Sequence, residues 1–280
     1  MDVFSIAYQG EPGAYSEEAI LSYIDSSVTT VPCETFQSLL KAVSDGKVDY
    51  GLLPVENTLA DTIWEAYELL MESYLRPCKE IIHRINHCLI GLPDVNAIRK
   101  VYSHPAALAQ CTEYIKRMGY EALPELDTAG SVRKLKEGLL EKDAGTIASE
   151  RAAQIYGMKI IARDIEDNPE NYTRFFLLGH EDSQHRRGEK YKTSIVLEIR
   201  HEPGALYEAL GPLAKRKINM TKLQSRRIIG SPWEFRFIID LEGHRNEKKV
   251  NDALKELEGV STYLKIMGSY PEAKSINSSK

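Results

Sequence analysis

The 280-residue sequence predicts a two-lobed α/β domain with a cleft between its lobes, followed by a smaller domain of βαββαβ order. Short apolar segments with strand character alternate with helical segments over the first 181 residues, which is typical of a mainly parallel sheet. Residues 181–189 are polar and show no periodicity, so they mark a boundary. The segments after this boundary give the βαββαβ order of a four-stranded antiparallel sheet with helices on one face.

The elements of the first domain fall into two series. In the first series we predict strands and helices at residues 3–8, 16–24, 28–32, 35–44, 50–55 and 62–71. In the second series we predict them at 88–92, 100–103, 105–118, 121–123, 131–137 and 144–148. Apolar segments at 160–162 and 175–178 then return the chain to the first lobe. Lobe 1 is therefore expected at about 1–80 and 160–181, and lobe 2 at about 81–159.

The smaller domain is expected at residues 191–272. Its predicted elements, in order, are 192–200, 204–215, 221–229, 233–241, 248–257 and 261–267.

Composition excludes several classes of protein. The formal charge is −11 over residues 1–181 and +6 over residues 182–280. A nucleic-acid-binding protein needs a concentrated basic face, which the acidic first part does not offer. No apolar run is long enough to cross a bilayer and no secretory signal is visible, so we expect a cytoplasmic protein without membrane contact. The four cysteines form no CxxC pair and have no histidine at zinc spacing, so neither a disulfide framework nor a metal site is predicted.

Four polar segments lie where a predicted strand gives way to a helix. In Gly10–Glu18 the glycines permit a tight turn, and Ser16 is predicted to cap the helix and leave backbone N–H groups for an anion. The segment lacks the GK[ST] ending of a nucleotide-phosphate loop, so ATP is not indicated. A simple capped turn is the alternative.

The next segment contains Glu56, Asn57 and Thr58 at the end of an apolar strand. Asn57 and Thr58 can meet a ligand or cap the following helix. Glu56 must be solvated, paired or catalytic, because a carboxylate at a strand end is costly to bury alone.

Ser103 and His104 precede Pro105, which is favoured at the first position of a helix. Gln110 follows Ser103 by seven residues, two helical turns, so both side chains can face the same side. His104 can titrate near neutrality or be purely structural. Residues 127–131 open a further helix in the same way. Because strand carboxyl ends collect ligands in open α/β sheets, these segments are expected to meet at the cleft.

The run Asn171-Tyr172-Thr173-Arg174-Phe175-Phe176 places a hydroxyl, a guanidinium and an aromatic pair at the mouth of an apolar strand. Arg174 is the expected counter-charge for a bound dianion. An ordinary strand entry with solvated polar residues is the alternative.

Taken together, these segments, in this order, resemble those of prephenate dehydratase. The later domain resembles the ACT domain that follows it in the phenylalanine-regulated form, through residues 202–207 and 218–219. The resemblance covers nearly the whole chain. It implies a periplasmic-binding-protein-like two-lobed catalytic domain followed by a ferredoxin-like ACT domain.

The resemblance also implies a reaction, the conversion of prephenate to phenylpyruvate, water and carbon dioxide, which needs no cofactor or metal. It makes Thr173 the donor that helps the hydroxyl group leave. The residues then expected to bind substrate are Ser16, Glu56, Asn57, Thr58, Ser103, His104, Gln110, Arg174 and Phe175.

The chain departs from the family pattern at two places. Thr58-Leu59-Ala60-Asp61 stands where the family often has serine followed by glycines, which leaves arogenate open as an alternative substrate. Gln224-Ser225-Arg226-Arg227 replaces the family's regulatory Glu-Ser-Arg-Pro string.

An L-phenylalanine effector is nevertheless expected. The residues predicted to bind it are Gly204, Ala205, Leu206, Asn219, Met220 and Ser225. ACT domains imply a homodimer or homotetramer. A non-catalytic amino-acid sensor is the main rival.

Overall fold

The computed structural model describes residues 4–24, 27–92, 97–228 and 230–273, with 231–233 described by their backbone alone. Predicted strand positions Val3 and Ile229, and positions 93–96 of the predicted second lobe, lie outside the described residues. Up to residue 91 the elements are β1 (Ser5–Gln9), α1 (Tyr15–Tyr23), β2 (Thr29–Cys33), α2 (Phe36–Ser44), β3 (Tyr50–Asn57), β4 (Asp61–Thr62), α3 (Trp64–Glu72), β5 (Arg76–Arg84) and β6 (Cys88–Gly91).

The chain continues through a second α/β series. Its elements are β7 (Lys100–Ser103), α4 (Pro105–Ala109), α5 (Thr112–Met118), β8 (Glu121–Pro124), α6 (Thr128–Lys136), β9 (Ala144–Ala148), α7 (Glu150–Tyr156), β10 (Lys159–Ala162) and β11 (Tyr172–Gly179). The last series is β12 (Tyr191–Glu198), α8 (Ala205–Lys215), β13 (Met220–Ile228), β14 (Ser231–Glu242), α9 (Lys248–Val260) and β15 (Tyr263–Pro271).

These elements form three sheets. The first has the strand order β2-β1-β3-β11-β5, with β4 beside β3, and the second has the order β10-β6-β9-β7-β8. They are the sheets of the two lobes, so the predicted two-lobed α/β class is confirmed. The prediction that residues 160–162 return the chain to the first lobe is wrong, because β10 pairs with β6 at the edge of the second sheet; the later segment 175–178 lies in β11 of the first sheet. The last sheet has the order β13-β14-β12-β15 with antiparallel pairs, which confirms the βαββαβ prediction.

Contacts divide the chain into two compact units. One comprises residues 1–66 and 81–176, and the other comprises residues 67–80 and 177–280. The first unit contains the candidate active site. The second contains the ACT-like sheet together with the segment 67–80.

Buried apolar residues explain why these elements pack as they do. In the second lobe, one core joins β6, α6 and α7 through Ile90, Val132 and Ala152, all 0% exposed. In the last series, Ile195 and Leu197 of β12 alternate toward a core that helices α8 and α9 complete from the same side.

Three predictions about helices need correction. The residue that precedes α1 is Ala14, so Ser16 lies inside the helix and does not cap it. The helix predicted at 105–118 breaks at Gln110 and Cys111, because the chain turns there before α5. The helix predicted from residue 131 begins at Thr128, since Asp127 caps it by accepting a bond from the Gly130 N–H.

No helix among the described residues is long and apolar enough to span a membrane.

Candidate active site

The first unit contains a cavity of about 390 Å³. Three helix starts reach it: Tyr15 and Ser16 of α1, Ala106 and Ala107 of α4, and Thr128 of α6 line its wall. Helix starts offer N–H groups and a favourable dipole to negative charge. The predicted meeting of the polar helix entries at one site is therefore observed.

Thr173 reaches this cavity from β11. It lies one residue inside the strand and is 9% exposed, and Phe175 lines the same cavity. Arg174 and Phe176 do not line it, because successive side chains of a strand point to opposite faces. The guanidinium of Arg174 lies 4.9 Å from the centre of the Phe176 ring.

Asn57 is the polar residue most closely tied to Thr173. Its Nδ2 faces three acceptors, Asn171 Oδ1 at 2.9 Å, Thr173 Oγ1 at 3.0 Å and the Tyr172 carbonyl at 3.1 Å. Its Oδ1 accepts from the backbone N–H groups of Leu59 and Ala60, both at 2.9 Å. The Thr173 oxygen therefore serves as an acceptor toward Asn57, and its proton has no acceptor among the described residues.

Gln110 and His87 extend this network across the cavity wall. Asn171 Nδ2 donates to Gln110 Oε1 at 2.9 Å, and His87 Nε2 lies 2.8 Å from the same oxygen. His87 Nδ1 lies 2.7 Å from the Tyr15 hydroxyl. Burial lowers the pKa of His87 below its ordinary value, so the neutral ring is favoured.

Sequence reasoning does not single out Tyr15, His87 or Asn171 as site residues. Tyr15 directly precedes the predicted Ser16, and Asn171 lies two residues before Thr173. Their closeness in sequence to predicted site residues is the signal that could have identified them. His87 stands directly before the buried strand β6, and nothing in the sequence around it marks a functional side chain.

Glu56 and Arg174 form an ion pair. Arg174 Nη1 lies 3.3 Å from Glu56 Oε2, and neither residue lines the cavity. The carboxylate of Glu56 is thus paired, which is one of the three states the sequence allowed. Lys and Arg are absent from the cavity lining among the described residues, so the expected counter-charge from Arg174 is not observed at the cavity wall.

Ser103 and Thr58 lie near the site without lining the cavity. Ser103 is 0% exposed and donates to the Ile147 carbonyl at 2.6 Å, which ties β7 to β9. Thr58 donates to the Glu170 carbonyl at 2.8 Å and accepts from the Tyr172 N–H at 2.9 Å. Both geometries hold the strand ends in place.

His104 lies at the cavity and caps α4. Its Nδ1 accepts from the Ala106 N–H at 3.2 Å, so Nε2 is the ring nitrogen left to donate.

The second unit contains a smaller cavity of about 200 Å³ at the start of α8. Ala205 and Leu206 line it, together with Phe235 and Phe237 of β14. Of the other predicted effector residues, Gly204 precedes α8 with a left-handed φ of 88°. Asn219, Met220 and Ser225 are not in the lining, and Asn219 donates to Glu242 Oε1 at 2.9 Å.

The described residues contain no group of three or more His, Cys, Asp or Glu side chains that could hold a metal ion.

Two family models match this chain. The family model described as prephenate dehydratase matches residues 6–183, and the ACT domain model matches residues 193–259. The bifunctional chorismate mutase/prephenate dehydratase of Aquifex aeolicus is 35% identical over 96% of this chain and 74% of its own length.

A plant relative and a solved structure extend this comparison. The arogenate dehydratase/prephenate dehydratase 2 of Arabidopsis thaliana is 38% identical over 95% of this chain and 72% of its own. The structure of prephenate dehydratase from Arthrobacter aurescens in complex with L-Phe is 28% identical, with a TM-score of 0.85 over 96% of this chain and 90% of that one.

Proposed function

Since the chain belongs to the prephenate dehydratase family and carries an ACT domain, we propose that it converts prephenate to phenylpyruvate, water and carbon dioxide. The observation that supports this most directly is the Thr173 hydroxyl at the cavity. Its oxygen accepts from Asn57 Nδ2, so its proton is available to a bound substrate.

The chemistry needs one well-placed donor. The bond to the ring carboxylate breaks as carbon dioxide leaves, and its electron pair enters the ring. The C4–O bond then breaks and its electron pair leaves with hydroxide, which becomes water when protonated. Thr173 stabilises the negative charge that develops on this oxygen through a hydrogen bond that strengthens in the transition state.

Substrate binding follows from donors and helix dipoles. Prephenate is a dianion, and the cavity offers the starts of α1, α4 and α6 in place of Lys or Arg side chains. Phe175, Ile63 and Ile85 give apolar wall against which the ring can pack. Asn57, Gln110, Ser16 and His104 are the predicted polar contacts that lie at this wall.

The remaining predicted site residues do not line the cavity, and in this proposal they do not contact the substrate. Glu56 of β3 and Arg174 of β11 pair between these two neighbouring strands, while Thr58 and Ser103 fix the ends of β3 and β7. Their contribution is to keep the donors in position.

Turnover is the direct test. Purified protein incubated with prephenate should yield phenylpyruvate, which absorbs strongly in alkali. No phenylpyruvate from a folded protein would contradict the proposal and favour the non-catalytic sensor.

Thr173→Ala should lower kcat by at least about 10²-fold, because it removes the donor for the departing oxygen. Thr173→Ser keeps a hydroxyl and should retain much more activity than the alanine variant. Equal activity in both variants would show that the hydroxyl is not the donor.

Arogenate is the second candidate substrate, because the Arabidopsis relative is named for both activities. Arogenate differs by an amino group in place of the keto oxygen, so it would add a positive charge near the cavity. Parallel measurement of kcat/KM for the two compounds decides between them.

The ACT domain supports regulation by a small molecule, and we take L-phenylalanine as the effector and the cavity at the start of α8 as its site. The aromatic side chains Phe235 and Phe237 suit an aromatic ligand. Side-by-side pairing of ACT sheets would make the protein a homodimer or homotetramer.

Calorimetry with L-phenylalanine tests this assignment. Leu206→Ala should weaken binding by about 10-fold, because an apolar contact of the lining is lost. Val260→Ala, at the exposed end of α9, is the matched control and should leave binding unchanged.

Sedimentation with and without the effector gives the oligomeric state.

The cytoplasm is the proposed location, supported by the four free thiols, which suit a reducing compartment. Cell fractionation tests it.

A further inference from the structure

The side chains around Gln110 form a hydrogen-bonded chain that runs from Tyr15 to Thr173. It passes from the Tyr15 hydroxyl to His87, Gln110, Asn171 and Asn57, with each step between 2.7 and 3.0 Å. Every member except Asn171 lines the cavity. The direction of each bond in this chain can be worked out from one end.

The backbone sets the direction at Asn57. Two N–H groups, from Leu59 and Ala60, point at one atom of its side-chain amide, and N–H groups only donate. That atom must be the oxygen, so the NH₂ group faces Asn171, Thr173 and the Tyr172 carbonyl. A reversed amide would bring donors against donors.

The same reasoning passes the direction along the chain. The Asn171 atom that meets Asn57 Nδ2 must be its oxygen, because a reversed amide would face one NH₂ group with another. The NH₂ group of Asn171 therefore faces Gln110. The Gln110 atom that meets it must be Oε1. His87 Nε2 meets this same oxygen, and since an amide oxygen cannot donate, Nε2 must carry a proton.

Tyr15 holds the other side of the imidazole. With Nε2 protonated on a neutral ring, Nδ1 can only accept. The single proton of the Tyr15 hydroxyl is therefore assigned to His87 Nδ1, at 2.7 Å, in preference to the Asn86 carbonyl, which lies farther away at 3.1 Å. Burial raises the pKa of Tyr15, so the phenol remains a donor. The ring is also anchored through its backbone, because the His87 N–H donates to Glu166 Oε2 at 2.9 Å.

We infer that His87 is a positioning residue that, with Asn171, clamps Gln110 Oε1 and so turns the Gln110 NH₂ group toward the cavity. Gln110 and Thr173 then both present protons to the substrate from one directed network. This inference rests on the proposed function, and it adds His87 to the residues on which turnover depends.

A kinetic cycle tests the inference. His87→Leu removes the donor to Gln110 and should lower kcat/KM for prephenate by at least about 10-fold, because the amide is no longer held in one orientation. His87→Gln can place an amide N–H where Nε2 lies and should restore most of the activity. If His87 acts through Gln110, the double variant His87→Leu/Gln110→Met should match Gln110→Met alone to within about twofold.

Three results would overturn the inference. His87→Leu could keep the kcat/KM of the wild-type protein, or His87→Gln could lose as much kcat/KM as His87→Leu. The double variant could also lose the product of the two single losses. Should His87→Leu fail to fold, His87→Asn replaces it, since its amide is too short to reach Gln110 Oε1. Circular dichroism and thermal unfolding confirm that each variant is folded.

An independent readout separates this inference from the proposed function. Nitrogen-15 NMR of the imidazole in the wild-type protein should report the Nε2–H tautomer of His87, and the Nδ1–H tautomer would overturn the clamp. Wild-type protein that shows the expected tautomer without turning over prephenate would instead contradict the proposed function. Turnover that depends on Thr173 and not on His87 would contradict this inference alone.

Discussion

Neighbouring side chains of β11 have different environments because the strand alternates between two faces. Thr173 lies at the cavity with its oxygen held by Asn57, whereas Arg174 is paired with Glu56 and lies over the Phe176 ring. The sequence motif predicts substrate contact for both Thr173 and Arg174. The pleat of the strand gives the cavity to Thr173 and Phe175.

Burial of His87 gives a prediction at the same scale. Its pKa in the folded protein lies below the ordinary value of 6.5, so the unfolded chain binds more protons as the pH falls below that value. Folding stability should therefore drop as the pH decreases from 7.5 to 5.5. His87→Gln should show a smaller drop, which urea unfolding at the two pH values measures.

His244 in the second unit contributes in the same direction, since burial lowers its pKa as well. His244→Gln serves as the comparison and should remove a separate part of the pH dependence. An unchanged pH dependence in His87→Gln would mean that the buried imidazole titrates alike in the folded and unfolded chains.

At the scale of elements, the start of α7 is tied to the turn before α1. Ser149 Oγ caps α7 by accepting from the Ala152 N–H at 3.0 Å, and it donates to the Gly13 carbonyl at 2.6 Å. The two segments are so close that a Cβ atom on Gly13 would lie 2.6 Å from Ala152 Cα. Gly13 can also adopt the φ of 94° that this turn requires.

Ser149→Ala should therefore destabilise the protein by about 2–3 kcal/mol, because it leaves two buried backbone groups without a partner. Thr35→Ala is the matched control. Thr35 Oγ1 caps α2 at an exposed position by accepting from the Ser38 N–H. Its loss should lower the free energy of unfolding by about 1 kcal/mol. Equal losses in denaturant unfolding would contradict the role given to the Gly13 bond.

Most elements follow from periodicity in the sequence, and the exceptions have a physical cause. The strand β7 and the strand β9 have the predicted bounds, 100–103 and 144–148. The strand β5 was not predicted, because Arg76–Arg84 mixes charged and apolar residues and gains its strand structure by joining the first sheet. The seven-residue helix α7 was also missed, since it is too short to show a clear period.

At the scale of the whole molecule, the second unit is held together by a segment distant in sequence from its sheet. Residues 67–80 lie against the sheet that contains β12 and β15. Both carboxylate oxygens of Glu80 lie 3.1 Å from Lys192 Nζ, and Glu80 Oε2 also accepts from the Ala273 N–H at 2.8 Å. Gly268 lies so close to Pro77 that a Cβ atom added to Gly268 would be 2.9 Å from Pro77 Cδ.

Glu80→Ala should therefore destabilise the protein by about 1–3 kcal/mol, because it leaves Lys192 with only the longer ion pair to Glu272, at 3.7 Å, and leaves the Ala273 N–H without its acceptor. Asp252→Ala breaks the exposed pair between Lys248 and Asp252 on α9 and should change stability by less than about 0.5 kcal/mol. Urea unfolding of both variants gives the comparison. Similar small losses would mean that the Glu80 pair contributes no more than a surface pair.

The amino-acid sequence is enough to predict the family, the α/β class, the βαββαβ order of the last sheet and six of the residues that line the cavity. These properties are carried by local periodicity, by turn residues and by motifs that are contiguous in the chain. The folded structure is needed to see that Arg174 pairs with Glu56, that Ser103 bonds to β9, and that His87 and Tyr15 join the network at Gln110. Those outcomes depend on strand faces and on contacts between residues far apart in the chain, and a one-dimensional pattern does not encode either.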